Sequence, residues 1–101
     1  MLKQKLMETL ELISETTQLF YQNKPEEGYQ QLQSLLTVIG IRINEIDEYK
    51  KADNEIGIDE TALVDVLNQA LATLENNDTL LFSDIFEYDL KELLNKIIEV
   101  L

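Results

Sequence analysis

Any chemistry in this chain would have to be carried by carboxylates. Its 101 residues include 20 Asp and Glu but no His and no Cys. The commonest metal ligand and general base is therefore missing, together with any thiol nucleophile, disulfide or zinc–thiolate site. Two acid pairs have a spacing that could hold magnesium: Glu45 with Glu48 (E-x-x-E) and Glu75 with Asp78 (E-x-x-D). The stretch Asp53-Asn54-Glu55-Ile56-Gly57-Ile58-Asp59 invites comparison with a calcium loop and fails it. Gly57 stands where the fifth position needs a ligand, and Ile58 where the sixth needs glycine for the turn. Glu8, Glu11 and Glu15 share a helix face but lack the Glu-x-x-His pattern of di-iron bundles, so a solvated face accounts for them. There is no glycine-rich phosphate loop and no Ser-His-Asp set. The expectation is a protein with no cofactor, no metal ligands and no catalytic residues.

The two acid pairs resemble the paired acidic motifs of all-helical nucleotide pyrophosphohydrolases of the MazG and dimeric dUTPase type. That resemblance implies four acids holding metal for hydrolysis of a nucleoside triphosphate, with Lys50 and Lys51 left to contact phosphate. It is confined to Glu45, Glu48, Glu75 and Asp78, and the second pair sits at a helix end beside Asn76-Asn77. With 20 acids in 101 residues, such spacings arise by chance. Metal-dependent nucleotide hydrolysis is the alternative, not the leading expectation.

The elements that must position these residues are helices. Leu2, Leu6, Leu10, Ile13, Thr17 and Phe20 recur every three or four residues and share one face, which predicts a helix over about 2–22. Asn23-Lys24-Pro25-Glu26-Glu27 stops it and starts another, with proline suited to the first helical position and acids to the first turn. Tyr29, Leu32, Leu36, Ile39, Ile43 and Ile46 keep one register through Gly40, which predicts a single helix over about 25–51, with a kink at Gly40 allowed. Residues 52–58 form the one longer loop, with Ile56 and Ile58 expected to tuck onto the core. A third helix starts near the N-cap Asp59, runs to about 75, and presents Leu63, Leu67, Ala70, Leu71 and Leu74. A fourth, over about 79–101, has a main stripe of Phe82, Phe86, Leu90, Leu93, Ile97 and Leu101, widened by Leu94 and Ile98. Two short turns flanking one loop predict a single all-α domain over 1–101, an antiparallel up-down four-helix bundle built from two helical hairpins.

Charge divides this scaffold unevenly. Residues 1–44 hold five acids and four bases, a net of −1, whereas residues 45–101 hold fifteen acids and four bases, a net of −11. The plain account is solvated outer faces on the third and fourth helices. The sharper one is a basic or amphipathic protein partner steered to that side. An overall charge of −12 opposes binding to phosphate backbones, so no nucleic-acid partner is expected. Nor is a membrane: the longest near-apolar run, Leu35 to Ile41, is far short of the ~20 residues a spanning helix needs. Glu8 and Glu11 interrupt what would be a signal-peptide core after the basic start, which points to the cytoplasm.

Apolar residues on the far side of the fourth helix suggest where a partner would sit. Leu81, Ile85 and Tyr88 form a second stripe over its first three turns, away from the core stripe, with Asp84 and Glu87 among them. If the helix instead began near Asp84, these residues would enter the core. Leu12, Leu19 and Ile41 also lie off their main stripes, as scattered surface residues often do. The five residues Leu81, Ile85, Tyr88, Asp84 and Glu87 are thus the expected partner-binding set, for another protein or for a second copy.

Two stretches, Phe20 to Leu36 (FYQNKPEEGYQQLQSLL) and Leu67 to Leu94 (LNQALATLENNDTLLFSDIFEYDLKELL), resemble a group of small acidic all-helical bacterial proteins of unknown function. Asp78, Leu80, Leu81, Asp84, Ile85, Glu87, Tyr88 and Leu90 carry the pattern. The resemblance implies a helical architecture and an accessory role, and supplies no catalytic residues. The leading expectation is a non-enzymatic protein-interaction module. A narrower version is a chaperone-like protein, by analogy with small acidic helical export chaperones of flagellar or secretion systems, which capture an amphipathic client helix.

Overall fold

Two helices stop in the same way. α1 (Leu2–Tyr21) and α3 (Glu60–Glu75) are each followed by an asparagine, Asn23 and Asn77, held at φ 59°. That left-handed conformation is one asparagine tolerates better than most residues. In both turns two backbone donors fold back onto the last turn of the helix. Asn23 N–H donates to the Phe20 carbonyl at 3.1 Å and Lys24 N–H to Leu19 at 2.9 Å; Asn77 N–H donates to Leu74 at 3.0 Å and Asp78 N–H to Thr73 at 2.9 Å. These are Schellman closures, which satisfy carbonyls the helix leaves open.

The computed structural model describes residues 1–52 and 57–101. Among them are four helices and no strand: α1, α2 (Pro25–Ala52), α3, and a last rod over 79–100. The rod is α-helical over Thr79–Asp84 (α4), π-helical over Ile85–Leu90 and α-helical again over Lys91–Val100 (α5). It starts at Thr79, with the Asp78 carboxylate capping the Leu81 N–H at 3.0 Å, and so does not wait until Asp84. Asp59 caps α3 in the same manner, through the Ala62 N–H at 3.0 Å. α2 runs unbroken through Gly40, and its 28 residues, at ~1.5 Å each, match the 42 Å long axis of the molecule. Asp53, Asn54, Glu55 and Ile56, which complete the calcium-loop comparison, lie outside the described residues; Ile58 is buried.

α1 lies between α2 and the 79–100 rod and packs along both, while α3 packs on the rod. Being covered on two sides, α1 buries more than one apolar stripe. Thr9, Thr16 and Thr17 are buried with Leu6, Ile13 and Phe20. Thr9 and Thr16 donate to the carbonyls of Lys5 and Leu12 four residues back, at 2.8 and 2.9 Å, so neither hydroxyl is stranded. The interior point where Thr9, Ile39, Ile46, Leu63, Leu90 and Leu94 converge draws on all four helices. Gly28 lets α2 approach α1 closely: a Cβ there would sit 2.8 Å from the Phe20 ring, which is itself held edge-on by Tyr29 and Phe82.

Several core positions differ from the expected stripes. Tyr29 and Leu71 are more exposed than buried-stripe residues should be, and Leu35 is buried where Leu36 is only half-buried. On the last rod Leu94 is buried and Leu93 half-buried, the reverse of the expected order. The π turn is the reason. At ~100° per residue, positions four apart drift by about 40° each step, so Phe82, Phe86, Leu90 and Leu94 would spread over about 120° of a regular α-helix and put Leu94 at the edge of the face. The wider i→i+5 winding over Ile85–Leu90 takes up that drift, and all four side chains are buried. No helix among the described residues is long and apolar enough to cross a membrane.

Candidate functional site

The π turn has an inner polar face and an outer apolar one. On the inner side Glu87, half-buried, reaches α1. Its carboxylate accepts from Thr17 Oγ1 at 3.0 Å, lies 3.4 Å from Ser14 Oγ, and pairs with Lys91 Nζ at 2.8 Å. Lys91 in turn donates to Ser14 Oγ at 2.8 Å. One turn earlier Asp84 accepts the phenol proton of Tyr21 at the end of α1. The Tyr21 hydroxyl is pushed well above the ordinary tyrosine range, first by its partial burial and then by the hydrogen bond and negative charge of Asp84. The rod is thus fastened to α1 by hydrogen bonds on two successive turns, spanning the α4-to-π boundary.

On the outer side stand Leu80, Leu81, Asp84 and Tyr88. Leu80 is 56% exposed, Leu81 46% and Tyr88 67%. Leu80 and Leu81 stand in the opening turn of the rod and Tyr88 in its π segment, so these side chains leave an apolar ridge over the first half of the rod. Asp78, Asp84 and Asp89, in and just before the same stretch of the rod, are all exposed.

The five residues expected to meet a partner therefore divide. Leu81, Tyr88 and Asp84 are on the outer surface, with Asp84 also engaged by Tyr21. Ile85 is half-buried and packs against the core. Glu87 is turned toward α1 and held there. Leu80, which belongs to the ridge, was not in the expected set. Its signal was its position one turn before Asp84 and two before Tyr88, on the helix expected over about 79–101.

The acid pairs behave as ordinary surface and capping groups. Glu45 pairs with Lys5 at 3.1 Å and with Arg42 at 3.0 Å, which places it beside the start of α1. Asp78 caps the rod one turn before Phe82, whose ring lies 6.0 Å from that of Phe20 near the other end of α1. Lys5 and Phe20 are separated by about 22 Å of helix, so the two pairs do not come together. Lys50 donates to the Ile58 carbonyl at 3.0 Å and Lys51 pairs with Asp47 at 2.9 Å. Among the described residues, no group of three or more acids is gathered as a metal site would require.

No curated protein and no solved structure matches the chain. Its residues 2–100 do match one family, and the chain belongs to it: a domain of unknown function, DUF8042.

Proposed function

We propose that this protein is a non-enzymatic interaction module of the cytoplasm, in which an antiparallel bundle of two helical hairpins presents the outer face of the second hairpin to a protein partner. The observation that carries the reading is the ridge of Leu80, Leu81 and Tyr88, three large apolar side chains left exposed along the first half of one rod. A monomeric surface seldom gathers such residues without a use, whereas single exposed ones are ordinary. The surrounding charge, net −11 over residues 45–101, supports a basic partner, which would be steered electrostatically. A client-capturing chaperone is the narrower form of the same reading.

The test is recovery of a binding partner on the immobilised full chain. A stoichiometric protein retained by the wild type, lost by Leu81→Ala/Tyr88→Ala and released by added salt is the expected result. Equal recovery by the double variant would refute the ridge as the contact. Magnesium-dependent phosphate release from nucleoside triphosphates, abolished by Glu45→Gln, would refute the non-enzymatic reading.

A further inference from the structure

The chemistry around the ridge narrows the partner. We infer that it is the docking site for a cationic amphipathic helix, with apolar side chains of that helix seated on Leu80, Leu81 and Tyr88 and its lysines or arginines against Asp78, Asp84 and Asp89. The inference rests on the interaction reading above.

Three observations favour this occupant. First, the face carries uncompensated negative charge. The rod's two lysines are both committed internally, Lys91 to Glu87 at 2.8 Å and Lys96 to Glu92 at 3.5 Å, and Asp89 enters no ion pair among the described residues. Cations brought by a partner supply what the rod's own lysines do not, and they gain most where the apolar contact excludes water. Second, the same charge disfavours a second copy. A two-fold dimer places one patch against itself, so the three aspartates of each copy would meet those of the other without a cation of their own to separate them. Third, the shape of the face suits a helix. No strand, and so no open sheet edge, exists among the described residues for an extended peptide to join. Leu80, Leu81 and Tyr88 are exposed along the first half of one helical rod, a length of face on which a partner helix can lay successive anchors. Ridge-into-groove packing of one helix on another needs no preformed cleft.

The probe is a fluorescent peptide of about 18 residues, five helical turns, made only of leucine and lysine with the leucines on one face. Binding to the full chain is read by anisotropy at low and high salt. Two further peptides serve as controls, one of the same composition with the leucines scattered round the helix, the other with glutamate in place of lysine. The amphipathic cationic peptide is expected to bind, and salt to weaken it steeply. Leu81→Ala/Tyr88→Ala should lower its affinity by about tenfold or more, as loss of central apolar anchors does. Asp84→Asn/Asp89→Asn should lower it less and flatten the salt dependence. All four positions are exposed, and the amide oxygen of Asp84→Asn can still accept from the Tyr21 hydroxyl, so both variants should keep the wild-type helical circular dichroism. Equal binding of the scattered or glutamate peptide, or undiminished binding by Leu81→Ala/Tyr88→Ala, overturns the inference. So does a wild-type dimer in sedimentation that this variant dissolves, because the second copy is then the occupant. If a protein partner depends on the ridge in the recovery experiment yet the cationic peptide does not bind, the interaction reading stands and the cationic-helix inference falls.

Discussion

The turn between α1 and α2 and the turn between α3 and the 79–100 rod use the same backbone device and put it to different uses. Each has an asparagine at φ 59° and the same two returning hydrogen bonds. After the first turn comes Lys24-Pro25, with Glu26 and Glu27 in the opening turn of α2 and Gly28 lying against the Phe20 ring. After the second comes Asp78, whose own carboxylate caps the next helix, followed by Leu80 and Leu81 facing outward. The first entry brings two helices close. The second leaves an apolar ridge uncovered and is followed by a change of winding. Beyond the turn, α2 stays α-helical through a glycine for 28 residues, while the last rod widens to π over six. The lesson is that a turn fixes where a helix begins, whereas the contacts along the helix decide how it is wound and what it exposes.

This contrast can be tested, starting with the rod. If the π turn sets the register, Leu94→Ala should cost about 2–5 kcal/mol, the range for a buried leucine, and Leu93→Ala clearly less, as read by urea denaturation. Equal costs, or the reverse order, would mean a continuous α-helical register. The two glycines of α2 come next. Gly28→Ala should destabilise by about 1–3 kcal/mol, because the added methyl meets a ring pinned on both sides. Gly40→Ala meets nothing within 4 Å and should stabilise by up to about 1 kcal/mol through helix propensity alone. Thermal melts of the pair should therefore move in opposite directions. The smallest effect separates the two turns: Asp78→Ala should cost about 1 kcal/mol for the lost cap, and Lys24→Ala almost nothing, since no side-chain cap is made there. A Lys24→Ala cost as large as that of Asp78→Ala would erase the distinction.

Much of the scaffold can be read from short-range pattern. Pro25 with Glu26 and Glu27, Asp59 and Asp78 each announce a helix start, and Asn23 and Asn77 an end, because capping and dipole interactions act over one turn of chain. The π turn was also present as a pattern, in the unbroken four-residue spacing of Phe82, Phe86, Leu90 and Leu94. Assuming a uniform 100° per residue, Leu93 takes the place of Leu94 and that signal is lost. The ridge was half legible. Leu81 and Tyr88 are plainly off the core stripe, but nothing local distinguishes the outward Asp84 from the inward Glu87, which are three residues apart on one helix.

The sequence by itself determined the all-helical class, the ends of the helices, the concentration of negative charge in residues 45–101 and the absence of histidine and cysteine. Each of these is composition or an interaction within about four residues. Only the tertiary structure decided that Thr9 and Thr16 are buried, that Glu87 points to Thr17 across 70 positions of chain, that the acid pairs lie at opposite ends of α1, and that Leu94 rather than Leu93 enters the core. The physical reason is that burial and winding depend on what a helix is packed against. α1 is covered on two sides and so buries threonines, and the last rod meets α1 through Asp84 and Glu87 where its winding changes from α to π.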